Sequence, residues 1–437
     1  MQRPPMLLLN IADIHFNHPI CNTEMDPDRP YRSELVRDVR ERVRSLGRVD
    51  AILVGGDIAF HGLPEEYQAA FAWLRELVDA AGCPVERILV VPGNHDVDRR
   101  VTAGNPSVRN VQRAIKNAEP GRRARELFDQ FHDPETGRAL FAPLAAYNEF
   151  AARFDCQLYP KERMFWRQEL PLDDHLKLRL YGLTSTLLSG AEGRDDTRDS
   201  LYLSPLQTVL DPTDGVVNLV LCHHPPDWFM DQDEVDEAFR GRAEIHFFGH
   251  KHRQRIYRDP SHVRFGTGAV NPDRNLPGWD PGYNLVALSV ERDDGGSHLA
   301  VEAHQLRWQP APPLFQAIAA SPGNPVFRHR VPIRGSLVRP PRPPTESQPV
   351  AESPPAREPE PVLAELAMSD DPTRNLVFRF WALASSQRRE IATNLGLIDE
   401  ADMRLPEPER YRRALLRAKD RDLLHAVAQE IEKREAR

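Results

Sequence analysis

A chain of 437 residues exceeds the usual size of one domain and predicts roughly two to three folding units with ample core. Hydrophobic residues make up 40% and charged residues 28%, which is typical of globular proteins. The net charge of −8 excludes an overall positive field that would attract nucleic acid, so we expect nucleic acid only as a substrate.

The 4 cysteines are spaced singly, without a Cys-x-x-Cys pair: Cys21, Cys83, Cys156 and Cys222. This spacing fits neither a disulfide framework nor a thiolate zinc site. The apolar run Met6–Leu9 is too short for a signal peptide, and no stretch of about 18 apolar residues exists to cross a membrane. We therefore expect a cytoplasmic protein without membrane contact.

The first hundred residues alternate between strands and helices. Apolar runs predict strands at Met6–Ile11, Ala51–Val54 and Ile88–Pro92, and helical periodicity predicts two helices that end at Gly47 and before Gly82. Right-handed crossovers would make these strands parallel, so the loops that follow them emerge on one edge of the sheet.

Each of these loops carries polar side chains. Asp13 and His15 follow the first strand, Asp57 follows the second, and Asn94 and His95 follow the third. A Gly-Asn pair after a strand is first of all a turn, so the third loop alone is equally well explained as structural. Convergence of all three loops would instead form a site.

Residues 97–174 are predicted to be mostly helical and polar, with candidate helices at 121–131 and 140–154. This segment lies between two sheet-like regions, which fits an insertion. Two interpretations stay open: a lid over the site, or an extra packing layer.

Strands resume in the second half, and two of the apolar runs end in histidine-bearing loops. These loops are Cys222-His223-His224-Pro225-Pro226 and Gly249-His250-Lys251-His252. We expect antiparallel pairing for the last three strands. The predicted strands are Leu176–Leu183, Val216–Leu221, Glu244–Phe248, His262–Gly268, Tyr283–Val290 and Leu299–Trp308.

The composition changes after about residue 335. Pro340–Pro361 contains nine prolines among Arg, Glu and Ser, which predicts a linker over 336–371. Residues 372–437 then show a charge-rich helical pattern. We expect three to four short helices there, which form a small all-α module.

The loop residues share one chemistry: all are oxygen or imidazole donors, and none is a thiolate. Such a set favours Mn, Fe or Zn, with enough ligands for two divalent or mixed-valence ions. Two ions ~3.5–4 Å apart would orient a phosphoryl oxygen and lower the pKa of a bridging water to ~7. The residues are Asp13, His15, Asp57, Asn94, His95, His223, His250 and His252.

The order of these motifs resembles the calcineurin-like metallophosphoesterases. The matching segments, over about residues 6–308, are Asp13-x-His15, Gly56-Asp57, Gly93-Asn94-His95-Asp96, His223 with the residues around it, and Gly249-His250-x-His252. The resemblance implies an α/β fold with two mixed β-sheets in a sandwich flanked by helices. It also implies a catalytic domain over 1–335.

The resemblance implies a role for each motif residue. Asp13, His15 and His252 would hold the first metal, Asp57 would bridge, and Asn94, His223 and His250 would hold the second. His95 would act as general acid, and Asp96 would orient His95. His224 could ligate in place of His223, and this alternative stays open. His18 and His61 are expected to be solvated loop residues.

The resemblance further implies a metal-dependent phosphoesterase in which a metal-bridging hydroxide attacks phosphorus. The loop around His223 looks most like the cyclic-nucleotide phosphodiesterase branch, which favours cyclic nucleotides or related small diesters. One alternative is a nuclease or phosphomonoesterase effector of a bacterial conflict or signalling system. A non-catalytic metal-binding scaffold is an alternative of another class, although His95 and Asp96 speak against it.

The C-terminal module loosely resembles the helical adaptor domains attached to effectors in bacterial conflict systems. The basis is the pattern Phe-Trp-Ala-Leu at 380–383, Arg-Arg-Glu-Ile-Ala at 388–392 and Leu-Gly-Leu at 395–397. Such a module would recruit a protein partner through helical contacts. A tail that docks on its own catalytic domain is the alternative, and the long Pro-rich tether favours recruitment.

Overall fold

The computed structural model describes residues 4–159, 163–211, 213–271, 281–293, 296–321 and 323–333, and in the C-terminal part 376, 379–380, 383, 385–399, 402 and 407–435. The chain divides into two compact units. The first unit carries two β-sheets and their flanking helices, and the second carries the C-terminal helices.

The elements follow in chain order. The strands are β1 (Met6–Ile11), β2 (Ala51–Val54), β3 (Ile88–Val90), β4 (Phe165–Pro171), β5 (Lys177–Leu183), β6 (Val216–Cys222), β7 (Ile245–Phe248), β8 (Arg255–Asp259), β9 (His262–Gly266), β10 (Gly282–Asp293), β11 (Gly296–Pro310), β12 (Pro313–Ala317) and β13 (Phe327–Pro332). The helices are α1 (Arg29–Leu46), α2 (Pro64–Ala81), α3 (Arg99–Gly104), α4 (Pro106–Asn117), α5 (Pro120–His132), α6 (Pro134–Phe141), α7 (Ala145–Ala151), α8 (Pro205–Thr208), α9 (Gln232–Arg242), α10 (Ser385–Asn394), α11 (Glu407–Asp420) and α12 (Leu424–Glu435).

The first sheet has the strand order β12-β11-β10-β1-β2-β3, and β13 also pairs with β11. β1, β2 and β3 are parallel, with Leu9 opposite Ile52 and Ile52 opposite Ile88. This confirms the parallel arrangement expected from the two crossovers. Because the side chains of β1 and β2 are buried on both faces, their sequences read as continuous apolar runs.

The second sheet has the order β4-β5-β6-β7-β9-β8. Its four central strands are parallel to one another, and β4 and β8 are antiparallel edges. The antiparallel expectation is therefore wrong for the β7–β9 pair, although β10 and β11 do pair antiparallel. The intervening strand β8 explains the difference, because it carries the chain back so that β9 runs in the direction of β7.

Residues 97–174 differ from the helical prediction in two places. β4 lies inside this segment, where Trp166 and Leu170 alternate with more exposed neighbours. The segment 140–154 is helical as expected but not one α-helix, since a 3-10 turn at Ala142–Leu144 separates α6 from α7 and another follows at Ala152–Phe154. Pro143 lies in the first of these turns, and a proline has no N–H to continue the helical ladder.

α7 has the contacts of a packing layer. The Tyr147 hydroxyl donates to the carbonyl of Val90 at 3.0 Å, and the Phe150 ring stacks on Tyr67 with centroids 5.0 Å apart. Tyr147 and Phe150 are both buried. Whether another part of 97–159 closes over the site stays a prediction.

The C-terminal unit has a core of its own. Gly396 follows α10 with φ of 61°, as expected for a residue that ends a helix. The Arg417 guanidinium pairs with Asp402 and donates to the Leu397 carbonyl at 2.9 Å. The buried core comprises Leu376, Phe380, Leu383, Ile391, Ala392, Leu397, Tyr411, Ala414, Leu415, Ala418, Val427 and Ile431.

The predicted Pro-rich linker lies outside the described residues. All four cysteines are free thiols, as their spacing predicted. Within the described part of the chain, no helix combines the length and apolarity needed to cross a membrane.

Candidate metal centre

The predicted loops meet at the carboxyl ends of strands from both sheets. The Asp13 N–H donates to the carbonyl of Gly56 at 3.0 Å, which joins the loops after β1 and β2. The His250 N–H, on the loop after β7, donates to Oδ1 of Asp13 at 3.2 Å. Residues more than 200 positions apart thus share one site.

One group of potential ligands comprises Asp13, His15, Asp57 and His252, whose ligand atoms all lie within 4.8 Å of one another. Nε2 of His252 lies 3.2 Å from Oδ1 of Asp13, and Nε2 of His15 lies 3.8 Å from Oδ2 of Asp57. Among the described residues, both ring nitrogens of His15 and Oδ2 of Asp13 are buried without a hydrogen-bond partner. A buried polar atom without a partner lowers the stability of the folded state. A cation coordinated by these atoms would remove that cost.

A second group surrounds Asn94. Its Oδ1 lies 3.2 Å from Nε2 of His223 and 3.0 Å from Nδ1 of His250. Oδ2 of Asp57 lies 3.3 Å from Nε2 of His223. Asp57 is thus shared between the two groups, as a bridging carboxylate would be.

His223 and His224 have different surroundings. Nδ1 of His223 donates to the Gly55 carbonyl at 2.8 Å, which leaves the Nε2 lone pair facing Asp57 and Asn94. Nδ1 of His224 lies 2.9 Å from the Ser185 hydroxyl, although a His224 nitrogen also lies within 4.8 Å of ligand atoms on His223 and His250. This geometry favours His223 as the ligand and places His224 beside it.

The backbone of the site is strained. Five of the residues at the site have positive φ without being glycine: Asp13 at 55°, His15 at 53°, Asp57 at 52°, His250 at 66° and His252 at 50°. Left-handed backbone costs a non-glycine residue on the order of 1 kcal/mol or more. Strain concentrated at these positions is typical of a functional site, where it aims successive side chains at one point.

Two glycines allow the loops to approach closely. A Cβ on Gly93 would lie 2.1 Å from Oδ1 of Asp57, and a Cβ on Gly56 would lie 2.7 Å from Nδ1 of His223. Gly56 also has φ of 92°. Gly93 and Gly56 are therefore required to be glycine, because a side chain at either position would collide with a residue of another motif.

The electrostatics suit a cation. Burial lowers the pKa of His15 to about 4 and that of His250 to about 3, so both imidazoles are neutral at neutral pH. Burial alone would raise the pKa of Asp57, but His223, His95 and His15 together outweigh it and hold this pKa well below its usual value. Burial likewise opposes the proton on His223, yet Asp57 raises its pKa to about 9. A metal ion would compete for that proton, because ligands must be deprotonated.

His95 and Asp96 have different hydrogen-bond partners. Nδ1 of His95 lies 2.9 Å from the Phe60 carbonyl, and no hydrogen bond joins this ring to the Asp96 carboxylate within the described structure. Asp96 instead accepts from the main-chain N–H groups of Ile58, Ala59 and Gly93 at 3.2, 2.9 and 2.8 Å. It also accepts from the Tyr67 hydroxyl at 2.8 Å. These four donors engage the oxygens of Asp96, so Asp96 holds the loop that carries His95, and its role in orienting His95 stays a prediction.

A cavity of about 430 Å³ opens over the centre. Sequence reasoning missed four residues of its lining: Arg198, Trp228, Lys251 and Arg253. Lys251 and Arg253 stand on either side of His252 in the sequence and could have been predicted from that position. Arg198 lies in no motif that would predict a place in the cavity. His18 and His61 are not among the described lining residues, and both interact with Glu66 as loop residues would.

Comparison with known proteins identifies both parts of the chain. A family model for calcineurin-like phosphoesterases matches residues 6–254, and a model for the GTPase-associated adaptor domain matches residues 372–433. The glycerophosphodiester phosphodiesterase GpdQ of Enterobacter lignolyticus is 36% identical over 95 residues, which is 21% of this chain and 30% of that protein. The chain therefore matches less than a third of this relative's length.

Solved structures offer only distant similarities. Vps29 of Chaetomium thermophilum is 12% identical with a TM-score of 0.30, covering 75% of this chain and 97% of that one. GAP50 of Plasmodium is 10% identical with a TM-score of 0.36, covering 76% and 90%. Neither score supports a functional comparison. The family match, which spans more than half of the residues, shows that the chain belongs to the calcineurin-like phosphoesterases.

Proposed function

We propose that the protein hydrolyses phosphodiesters at a dinuclear centre. The observation that carries this proposal is the shared position of Asp57, whose Oδ2 lies 3.8 Å from Nε2 of His15 and 3.3 Å from Nε2 of His223. Asp13, His15 and His252 would hold one ion, and Asn94, His223 and His250 the other. When bound, the ions would supply hydroxide at neutral pH and offset charge on the phosphoryl oxygens. Mn, Fe and Zn all suit these donors.

His95 would protonate the leaving oxygen. The Phe60 carbonyl can only accept, so Nδ1 of His95 carries a proton and Nε2 is the atom that can exchange a proton with the substrate. The ring is half-buried and lines the cavity. In the balanced step, the nucleophile forms a new P–O bond, the bond to the leaving oxygen breaks, and the proton on Nε2 moves to that oxygen.

A diester is favoured over a monoester because the relative with 36% identity over 95 residues is itself described as a phosphodiesterase. Cyclic nucleotides or related small diesters are the substrates we propose to test first, in a metal-supplemented screen that also contains nucleic acids and phosphomonoesters. Absence of hydrolysis with Mn, Fe or Zn would contradict the proposal and favour the scaffold alternative.

We also propose that residues 372–437 recruit a protein partner, joined by a 336–371 linker to a catalytic domain over 1–335. The support is the match to an adaptor domain described as GTPase-associated, which makes a GTPase the first partner to test. Affinity capture with the full chain and with Tyr411→Ala, which removes a fully buried side chain of the C-terminal core, would test this proposal. Equal capture by both proteins would contradict it.

A further inference from the structure

Several side chains at the cavity mouth are not needed to hold metal. Arg198, Lys251 and Arg253 add three cations to the lining. Nζ of Lys251 lies 2.6 Å from Asp227, and Arg198 lies 3.6 Å from the same carboxylate. Lys251 and Arg198 therefore share one acidic partner, Asp227, and Arg253 adds a further basic side chain to the lining.

Trp228 adds an aromatic face to this mouth. Its ring lies 4.0 Å from that of His250, and its indole nitrogen is buried without a hydrogen-bond partner among the described residues. A buried N–H usually has an acceptor. Together, a ring and an unsatisfied donor are suited to a planar base with acceptor atoms.

The positive charge continues out of the cavity along β8. We call Lys251, Arg253, Arg255 and Tyr257 the basic row. Residues 251–258 contain four Lys or Arg and no Asp or Glu, in a chain whose net charge is −8. β8 is an edge strand that pairs with β9, and its other edge is unpaired in the described part of the chain. The basic row thus runs from the cavity lining onto an accessible edge.

Tyr257 distinguishes the basic row from a simple charged edge. Its side chain is 52% exposed, and its hydroxyl accepts from Nη1 of Arg255 at 3.1 Å. Residues two apart on a strand lie on the same face, so the ring and the guanidinium stand side by side. Alternating basic and aromatic groups on one surface are characteristic of sites that bind single-stranded nucleic acid.

Edge strands also carry charge for another reason, because Lys and Arg prevent pairing with a second protein. That explanation accounts for Arg255 and Arg258. It does not account for an exposed tyrosine, nor for the continuity of the row with Lys251 and Arg253 in the cavity lining.

We propose that the substrate is single-stranded nucleic acid, whose scissile phosphodiester enters the cavity while flanking phosphates lie along the basic row. This inference rests on the proposed diesterase function and names its substrate class. Water supplies the attacking oxygen, one P–O bond forms and one breaks, and the products are a strand with a phosphate end and a strand with a hydroxyl end. Trp228 and Tyr257 would stack on bases without reading their sequence.

Direct binding gives the first test. Fluorescence anisotropy of the full-length protein with a labelled single-stranded oligonucleotide, in EDTA to prevent cleavage, measures affinity over a range of salt concentrations. For Arg255→Ala, we expect weaker binding and a shallower salt dependence, by ~0.7 in the log–log slope. Tyr257→Ala should weaken binding about fivefold or more with little change in slope.

Matched variants separate this effect from general charge loss. Arg255→Lys keeps the positive charge, so the slope of log affinity against log salt concentration should stay at its wild-type value. Arg75→Ala removes an exposed arginine on α2, outside the cavity lining, and should leave affinity unchanged. If the β8 variants bind with wild-type affinity and slope, the row serves edge protection and the proposal is overturned.

Activity separates failure of this inference from failure of the proposed function. The β8 variants should lose kcat/KM on oligonucleotides and retain it on a small chromogenic diester. Hydrolysis of the small diester, without binding or cleavage of oligonucleotides, would overturn this inference and leave the diesterase function standing. A phosphopeptide that displaces the oligonucleotide with higher affinity would instead assign the basic row to a protein substrate.

Discussion

The main-chain N–H of His95 donates a 2.8 Å hydrogen bond to Oδ1 of Asp57. The predicted general acid is thereby fixed to the predicted bridging carboxylate. Oδ1 holds the loop after β3, while Oδ2 faces His15 and His223. The two oxygens of one side chain therefore have separate functions, which substitutions can distinguish.

Asp57→Asn tests this division. The amide oxygen can still accept from the His95 N–H, but the charge that the metals would share is removed. We expect metal affinity to fall by more than the ~10–100-fold typical of losing an outer hydrogen-bond partner, with little change in fold. Metal content after gel filtration and far-UV circular dichroism check both expectations. Full metal content in this variant would show that Asp57 does not bridge.

His95→Asn should leave metal content unchanged and reduce kcat by about 10²–10⁴-fold, because a positioned acid contributes that much. His61→Asn is the matched control: this imidazole is on a neighbouring loop, its side chain is 52% exposed, and it is not among the cavity-lining residues. Loss of metal from His95→Asn in parallel with activity would identify His95 as a ligand instead.

Asp96→Asn should act through stability rather than through proton transfer. An Asn amide would turn its NH₂ toward N–H groups that now donate to Asp96, leaving about two buried donors unsatisfied at about 1–3 kcal/mol each. Tyr67→Phe removes one donor to the same carboxylate and should cost about 1 kcal/mol. Thermal unfolding measures both. A stable Asp96→Asn protein with activity as low as His95→Asn would instead show that Asp96 acts in catalysis by orienting His95.

The strands that sequence reasoning missed share one property. β4, β8, β12 and β13 all lie at sheet edges, whereas the strands found from their apolar runs are central or, like the edge strand β3, fully buried. An edge strand faces solvent along one side, so its sequence is short, polar or flanked by proline, as in β8 and in β12 with Pro313. Apolar periodicity reports burial, and these strands are only partly buried.

The site likewise contains groups that could be predicted from the sequence and groups that could not. The candidate site residues could be found because each follows an apolar run. The groups that orient His223 and His95 are main-chain carbonyls, of Gly55 and of Phe60 respectively. A carbonyl has no residue-specific signal in a sequence, and its direction depends on the fold. Arg198 reaches the cavity from a loop without a motif, so only the structure reveals it.

A pH dependence of stability is expected from Asp231, which lies outside the metal groups. Burial raises the pKa of its carboxyl to about 6. The folded state therefore favours the protonated form, and stability falls as pH rises through about 6. Asp231→Asn keeps an oxygen that can accept from the Leu203 N–H but cannot ionise.

We expect Asp231→Asn to be more stable than the parent at pH 8 by about 1–3 kcal/mol, at 1.36 kcal/mol per pKa unit. The difference should vanish below about pH 4, where the carboxyl is protonated in both states. Chemical unfolding in EDTA at several pH values measures this without interference from metal. A constant difference at all pH values would show that ionisation of Asp231 is not its cause.

Truncation after residue 335 should leave hydrolysis of a small chromogenic diester within about twofold of the full chain. The physical reason is that the described cavity-lining residues all lie between Asp57 and Arg253, and the unit that contains them has its own two-sheet core. The same truncation should abolish capture of a protein partner, because α10–α12 and their buried core are removed. Steady-state kinetics and affinity capture on the same preparations measure the two effects. Loss of activity from a truncated protein that still unfolds cooperatively would show that the C-terminal module is part of the catalytic unit, and would contradict its assignment as a recruiting module alone.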